Sequence, residues 1–198
     1  MAVYLRSYGE TEFDRREILR YAGAKGSTPE LDELISLCID EIRARLTYNV
    51  CFTELDVSFG TDTVRIGSIE SKSRLLQKRL NGCKSAVVFA ATVGIGIDRI
   101  IAKYGALSPS KALIFQAIGA ERIESLCDTL QRDIASEKEK EGKSVTARVS
   151  PGYADVPLEM QKDIFALLDC PRRLGLTLNE SLIMSPSKSV SAIFGIGI

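Results

Sequence analysis

The chain has 198 residues, of which 45% are hydrophobic, so it can bury a substantial core as one globular domain. Lysine and arginine number 26, as do aspartate and glutamate, and the zero net charge provides no field that would gather nucleic acid or an anionic membrane. Histidine is absent, which removes the commonest general base and metal ligand and argues against hydrolase and zinc-enzyme chemistry.

The first part of the chain predicts two helices that begin at capping residues. Asp14 caps a short helix over residues 14–21, and Thr28 caps a longer one with Pro29 at its first position. Apolar residues recur every three or four positions along the second helix: Leu31, Leu34, Ile35, Cys38, Ile39, Ile42 and Leu46. We expect the helical segment 1–46 to pack on the rest of one domain that spans residues 1–198.

The middle of the chain alternates between strand and helix signals. Residues 49–59 and 63–66 favour strands that are joined by a turn. Residues 71–81 predict a basic amphipathic helix that ends at a glycine. Residues 84–92 form a continuous apolar run of strand length, and we expect this strand to be buried on both faces.

The second half contains the longest predicted helix, from Pro109 to about Lys140. The other predicted elements are a helix over 94–104, a strand over 145–149, a helix over 157–168, and strands near 176–184 and 188–195. The strands come in hairpin-like pairs between helices of uneven length, without a regular strand–helix–strand repeat. This pattern predicts an α+β single domain with a twisted, largely antiparallel sheet and several helices, including one long helix.

The cysteines and the N-terminus indicate a cytoplasmic protein. The five cysteines are scattered singly, without the spacing of a disulfide framework or of a structural zinc site: Cys38, Cys51, Cys83, Cys127 and Cys170. The first residues lack the apolar core and the cleavage site of a signal peptide. The apolar run at residues 85–91 is too short to span a bilayer. Cys38 and Cys127 lie on apolar helical faces, where we expect buried thiols, and we expect no metal and no membrane.

Two glycines follow the apolar strand, in the order Gly94-x-Gly96. They resemble the start of a dinucleotide-binding fingerprint, but Arg99 stands where that fingerprint has its third glycine. Glycines at this place also suit a tight turn from a strand into a helix. We expect the turn.

The segment Arg-Val-Ser-Pro-Gly-Tyr contains four candidate binding residues, Arg148, Ser150, Gly152 and Tyr153. An arginine fork can hold a carboxylate through two hydrogen bonds, and a glycine lets a ligand approach the backbone closely. The peptide groups of the turn can pair with the edge of an adenine. An amino-acid nucleoside carries both groups. Taken alone, the segment would equally suit a surface arginine before an ordinary turn.

Glu124 is a further candidate on the long helix. Its spacing places it on the face that carries small and apolar residues: Leu113, Ala117, Ala120, Cys127 and Ile134. A carboxylate on such a face costs free energy unless it is paired. Glu124 therefore either contacts a ligand or is a boundary residue that reaches water or a nearby lysine, and Glu121 is the competing position.

A second segment follows about thirty residues later, Leu-Asn-Glu-Ser-Leu-Ile-Met-Ser-Pro-Ser-Lys-Ser-Val-Ser at residues 178–191. In this order and at this distance, the two segments resemble the C-terminal signature of the activation (reactivation) domain of cobalamin-dependent methionine synthase. The resemblance is strongest over residues 145–197 and continues collinearly over residues 84–135. It is that of a free-standing form of the domain.

The resemblance implies a function in methionine biosynthesis. The domain would bind S-adenosylmethionine and present its methyl group to oxidised cobalamin on a separate methionine synthase or another corrinoid protein, with a flavodoxin-like electron donor as one option. It implies Arg148, Ser150, Gly152, Tyr153 and Glu124 as the residues that bind S-adenosylmethionine. The chain would be a component of a methyltransferase and would supply no catalytic residue, because its work is to position the reactants.

Two departures from the family pattern support an alternative. Fused domains carry an N-terminal arm with a ligand-contacting aspartate, which the sequence does not place here. They also continue into a tyrosine pair, whereas Tyr153 is the last tyrosine of this chain. The alternative is a non-catalytic binding or assembly partner of a corrinoid protein that does not bind S-adenosylmethionine. A pterin- or nucleotide-using enzyme is a third hypothesis, for which the sequence offers little.

Overall fold

The computed structural model describes residues 2–197, in which nine strands and seven α-helices alternate unevenly. The strands are β1 (Tyr4–Ser7), β2 (Asn49–Phe59), β3 (Val64–Ile66), β4 (Ile69–Ser71), β5 (Cys83–Thr92), β6 (Ser144–Val145), β7 (Thr177–Leu178), β8 (Met184–Ser185) and β9 (Ser189–Gly197). The helices are α1 (Arg15–Tyr21), α2 (Pro29–Ile42), α3 (Arg74–Leu80), α4 (Gly96–Leu107), α5 (Pro109–Glu139), α6 (Met160–Leu168) and α7 (Cys170–Leu174).

Seven of the strands form one sheet in the order β4-β3-β2-β5-β9-β6. The seventh strand, β1, pairs with the first residues of β2, and β3 pairs with the last residues of β2. Strands β7 and β8 form a separate two-stranded ribbon. Every strand pairing within residues 2–197 is antiparallel. The predicted α+β fold with a largely antiparallel sheet is therefore confirmed.

Strand β5 lies in the middle of the sheet because both of its faces are apolar. Successive strand residues point to opposite faces, and β5 contributes alternate residues to two separate cores. One core contains Val87, Phe89 and Ala91, and the other contains Ala86, Val88 and Ala90. Helices α1, α2, α4 and α5 cover the first face, and α3, α6 and α7 cover the second. The prediction that residues 84–92 form a strand buried on both faces is confirmed.

Three differences from the predicted elements have local causes. Helix α3 begins at Arg74, not at 71, because Ser71 still pairs in the sheet and the Ser73 hydroxyl caps the helix at the Leu76 amide, 3.1 Å away. Helix α6 begins three residues after 157 because turns with three-residue spacing precede it. The strand predicted near 176–184 is divided into β7 and β8 because Asn179 accepts hydrogen bonds from the chain that folds back on it. Elements β1, β4 and α7 were not predicted.

A buried ion pair joins the N-terminal segment to α5. Arg122 is fully buried and pairs with Glu121, whose side chain is 4% exposed. The guanidinium also donates to the carbonyls of Thr11 and Glu12, both at 2.7 Å. The backbone amide of Asp14 donates to Glu121 at 3.3 Å. These bonds compensate the cost of removing both charges from water, and they hold the segment before α1 across the middle of α5.

The N-terminal helices α1 and α2 both contact α5, and α4 packs along α5 as well. The two ends of the predicted domain, Met1 and Ile198, lie outside the described residues. All five cysteines are buried and free. None of the helices within residues 2–197 combines the length and the apolar character that crossing a membrane requires.

Replacing Arg122 with methionine should lower the free energy of unfolding by about 3–5 kcal/mol, because Glu121 would keep a buried charge without its partner. Urea denaturation followed by circular dichroism measures this loss. Arg79→Met on the exposed side of α3 is the control and should change stability by no more than about 0.5 kcal/mol. The double variant Glu121→Leu/Arg122→Met should recover part of the loss. A double variant as unstable as Arg122→Met would contradict the explanation.

Candidate functional site

Strand β9 positions the segment that carries Arg148. Val145 pairs with β9 in β6, and Val149 exchanges two backbone hydrogen bonds with Ile193 at 2.8 and 2.9 Å. Between them, the Thr146 hydroxyl accepts from a β9 amide, so the predicted strand 145–149 is interrupted after two residues. Val149 belongs to the core on the α6 side of the sheet. Its neighbour Arg148 therefore points to the opposite face, where α5 lies.

Arg148 is the centre of a charged cluster on α5. Its Nη1 donates to Asp128 Oδ1 at 2.6 Å and to Gln131 Oε1 at 3.1 Å, and its Nη2 donates to Glu124 Oε2 at 2.7 Å. The amide nitrogen of Gln131 donates to the Thr146 carbonyl at 2.7 Å, which turns the Gln131 oxygen toward the arginine. The structure thus brings two of the predicted site residues, Arg148 and Glu124, together as an ion pair.

The guanidinium stays charged in this cluster. Burial favours its neutral form, but the hydrogen bonds with Asp128 and Glu124 outweigh burial and raise the pKa of Arg148 above its usual value. The Arg148 side chain is 22% exposed, whereas those of Glu124 and Asp128 are 44% and 56% exposed. The acids therefore lie at the edge of water and the arginine lies behind them. An anionic group from solvent can reach the guanidinium if one of the acids moves aside.

Glu124 and its competitor Glu121 have different environments. Glu121 is buried in the pair with Arg122, while Glu124 lies at the margin of the apolar face and contacts Arg148. Leu113, which the periodicity placed on the same face as Glu124, is 51% exposed. Glu124 thus lies at the boundary of the apolar face, and its partner is an arginine and not the lysine that the sequence suggested.

Asp128 and Gln131 are residues of the cluster that the sequence analysis missed. They lie four and seven positions after Glu124, a spacing that places all three on one side of a helix. The sequence therefore contained the information that these three side chains share one side of α5. What the sequence lacked was the partner, because Arg148 approaches α5 only through the pairing of its segment with β9.

The other predicted site residues, Ser150, Gly152 and Tyr153, lie in a compact loop after Arg148. The Tyr153 amide donates to the Ser150 carbonyl at 3.2 Å, and the Gly152 amide donates to the Val156 carbonyl at 2.9 Å. Gly152 has a φ of 84°, which a glycine adopts without strain. The Tyr153 side chain is 66% exposed. The residue is therefore presented largely to solvent.

Asp155 fixes this loop to the start of α3. Its carboxylate accepts from the Ser73 hydroxyl at 2.7 Å and from the amides of Arg74 and Leu75 at 2.6 and 3.3 Å. The neighbouring Ala154 has a φ of 52°, a left-handed conformation that costs a residue with a side chain about 1–2 kcal/mol. The bonds to Asp155 hold the chain in that conformation. The sequence analysis did not anticipate this contact.

The hydrogen bond from Ser73 lowers the pKa of Asp155 below its usual value. Burial opposes this shift only in part, and the hydrogen bonds from the two backbone amides add to it. A lowered folded pKa means that Asp155 contributes its stabilisation fully above its unfolded pKa. The contribution is lost only as the pH falls through the lower folded value. The loop is therefore held by a charged carboxylate at neutral pH.

A cleft of about 390 Å³ opens beside the cluster, between α5 and the segment around α1. Its lining is mainly acidic, and its acidic residues are Glu12, Asp14, Glu17, Glu121, Glu124 and Asp128. The sequence had placed no acidic group of the N-terminal segment near the site, and the structure brings three of them there. Clefts of about 410 and 550 Å³ lie along residues 10–16, but none of the predicted site residues lines them.

The two remaining motifs have structural roles. A Cβ atom on Gly96 would lie 2.2 Å from the Arg45 carbonyl oxygen, so this glycine allows α4 to begin against the backbone that follows α2. The expected turn is thus observed. The polar segment near the C-terminus joins β8 to β9, and Asp98 on α4 accepts from the Ser187 amide at 3.1 Å. It is a loop that leads into the last strand of the sheet.

Comparison with known proteins identifies the family of the chain. The family model of the vitamin B12 dependent methionine synthase activation domain matches residues 75–196, which is more than half of the chain. The matched span contains α5, Arg148 and the loop after it. The chain belongs to this family. The resemblance that the two C-terminal segments carry is confirmed.

The fold is also that of an activation domain. A crystal structure described as the MetH reactivation domain bound to AdoHcy matches with a TM-score of 0.68, at 16% sequence identity, over 98% of this chain and 78% of that chain. At this identity the likeness shows a shared fold. It extends over the N-terminal helices that the family match leaves out. No curated protein matches the chain in sequence.

In this activation-domain fold, replacing Asp155 with alanine should loosen the loop that follows Arg148. Amide hydrogen exchange measured by mass spectrometry should become faster in residues 150–156 and at the start of α3, because three hydrogen bonds to the carboxylate are lost. Asp163→Ala on the exposed side of α6 removes the same charge and should leave exchange in the loop unchanged. Unchanged exchange in Asp155→Ala would show that the loop holds its own conformation.

Proposed function

We propose that this chain binds S-adenosylmethionine and supports the reductive methylation of oxidised cobalamin on a methionine synthase or a related corrinoid protein that acts in trans. The observation that carries the proposal is the Arg148–Glu124 pair, which lies in an activation-domain fold directly before an exposed glycine–tyrosine turn. The MetH reactivation domain of the same fold was crystallised with AdoHcy, the molecule that remains when S-adenosylmethionine gives up its methyl group.

The charges of the site fit the ligand group by group. The carboxylate of the amino-acid part would accept a charge-assisted hydrogen bond from the guanidinium of Arg148. The ammonium and sulfonium charges would face Glu124 and the acidic cleft. The adenine would lie at the loop of Ser150, Gly152 and Tyr153, where an exposed aromatic ring and close backbone are available.

The protein's own part in this reaction is positioning. The bound nucleoside supplies the methyl group, and the cobalamin carried by the partner accepts it after a one-electron reduction. The residues of this chain hold the amino-acid end and the nucleoside end of the ligand, which orients the sulfonium between them. No proton has to be transferred for this task, so a chain without histidine can perform it.

The proposal includes a flavodoxin-like or equivalent electron donor and a cytoplasmic location. Five free, buried thiols and no disulfide within residues 2–197 suit a reducing compartment. We also propose that the N-terminal segment 1–46 belongs to the functional unit, because its described residues 11–17 contribute to the cleft that Glu124 lines.

A second candidate function is favoured by one observation. Both terminal nitrogens of Arg148 already contact carboxylates of α5. The same pairing would be expected if Arg148 only held its segment against α5 and bound no ligand. The chain would then bind or assemble a corrinoid protein without binding S-adenosylmethionine. Measured ligand binding decides between the two functions.

Calorimetry should show weak binding of S-adenosylmethionine, and Arg148→Ala should weaken it by roughly 1.5–3 kcal/mol, the range for hydrogen bonds to a charged group. Arg148→Lys keeps the charge without the planar guanidinium, so its affinity for S-adenosylmethionine should lie between those of the wild type and Arg148→Ala. Arg79→Ala on α3 is the control. Absence of heat with the wild type at millimolar ligand would reject the first function and favour the assembly partner.

The protein should also associate with a cobalamin-binding domain supplied as a separate chain, because the methyl acceptor of the proposed reaction lies on the partner. Pull-down with the tagged protein followed by cobalamin absorbance and mass spectrometry should recover a corrinoid protein from native extract. The captured protein should bind again when it is purified and mixed with the chain. Recovery of nucleic-acid-binding or membrane proteins alone would contradict action in trans.

A further inference from the structure

The guanidinium of Arg148 has three acceptors on its two terminal nitrogens. Asp128 and Gln131 share Nη1, at 2.6 and 3.1 Å, and Glu124 has Nη2, at 2.7 Å. Each terminal nitrogen therefore already donates to a carboxylate of the protein itself. A ligand carboxylate that binds to these terminal N–H groups in their place must first displace one of them.

We infer that Asp128 is the residue that is displaced, and that it determines how well the site distinguishes ligands with a carboxylate from ligands without one. The inference rests on the proposed function, because it concerns the carboxylate end of the proposed S-adenosylmethionine site. Asp128 acts as an internal competitor. A carboxylate ligand replaces its contact with Nη1, and a ligand that lacks the carboxylate leaves that contact in place.

Gln131 makes Asp128 the acid that can leave. The Gln131 amide is oriented by its hydrogen bond to the Thr146 carbonyl at 2.7 Å, so its oxygen continues to hold Nη1 when Asp128 moves away. The arginine therefore keeps its direction. On Nη2, Glu124 is the acceptor that holds the other side of the fork.

Exposure also favours Asp128. Its side chain is 56% exposed, against 44% for Glu124, so its carboxylate regains water at the smaller cost when it leaves the arginine. Asp128 also lines two clefts, the acidic one of about 390 Å³ and another of about 360 Å³ that includes Gln131 and Val145. It therefore lies on the boundary that a ligand would cross to reach Nη1.

Asp128→Asn tests the inference. Asparagine keeps the shape and can still accept from Nη1, but a neutral acceptor gives way to a carboxylate more easily than a charged one does. S-adenosylmethionine should bind roughly two- to fivefold more tightly than to the wild type, the range that an exposed ion pair allows. Decarboxylated S-adenosylmethionine keeps the sulfonium and the ammonium, and its affinity should stay the same or fall.

Glu137→Gln is the matched control. Glu137 lies on the same helix, is 53% exposed and pairs with an arginine of another element, Arg6, at 2.9 Å. The substitution removes the same charge from α5 at a residue that pairs with Arg6 and not with Arg148. The ratio of the two ligand affinities, measured by calorimetry on both variants and the wild type, should change in Asp128→Asn and stay constant in Glu137→Gln. Melting temperatures measured in parallel confirm that each variant is folded.

Two results would overturn the inference while the proposed function stands. The first is unchanged or weaker binding of S-adenosylmethionine to Asp128→Asn, which would mean that Asp128 orients Arg148. The second is an equal gain for both ligands, which would mean that the carboxylate is not the group in competition. If S-adenosylmethionine binds neither the wild type nor Asp128→Asn, the proposed function is overturned and this inference with it.

Discussion

Pairing of strand β9 with its neighbours is the constraint on which the site depends. β9 pairs with β5 along its length, and on its other edge it holds β6 and the bridge at Val149. This register places Val149 in one core and Arg148 on the face of α5. Because side chains alternate along a strand, a slip of one residue would turn Arg148 into the apolar core and Val149 toward the acids. The register of the pairing with β9 therefore determines which residue of the segment meets α5.

Helix α5 then connects the N-terminal segment, with which it forms the acidic cleft, to the segment that carries Arg148. Its buried pair, Glu121 and Arg122, holds the N-terminal segment, and its cluster of Glu124, Asp128 and Gln131 holds the segment before the loop. The two sets lie within three turns of one helix. The cleft between α5 and the N-terminal segment is acidic because both contribute carboxylates to it. A cationic ligand with one carboxylate matches this distribution of charge better than an anionic one does.

Elements with local signals could be predicted from the sequence, and contacts between distant segments could not. The caps at Asp14 and Thr28 and the apolar run of β5 predicted their elements correctly, because each depends on residues within a few positions. Strand β1 was missed because its four residues form a strand only through pairing with β2. Asp155 was missed for the same reason, since it contacts the start of α3 about eighty positions earlier in the chain. The family resemblance implied that Arg148 and Glu124 belong to one site. Their direct contact could be seen only in the folded structure.

The cluster around Arg148 also indicates why binding at such a site would be weak and yet selective. An arginine whose side chain is 22% exposed needs acceptors when no ligand is present, and α5 supplies them. In the proposed function, a ligand carboxylate exchanges with a carboxylate of the protein, so the number of charge-assisted hydrogen bonds on the fork stays nearly constant. The net free energy gained at that end is therefore smaller than the loss expected on removing Arg148, because without the arginine the acids of α5 would face the ligand carboxylate directly. The affinity must then come from the sulfonium, the ammonium and the nucleoside, which differ between the methylated donor and its product only at the sulfonium. When the shared carboxylate contributes little, the positive charge at sulfur accounts for a larger share of the binding free energy. That charge distinguishes the methyl donor from the demethylated product.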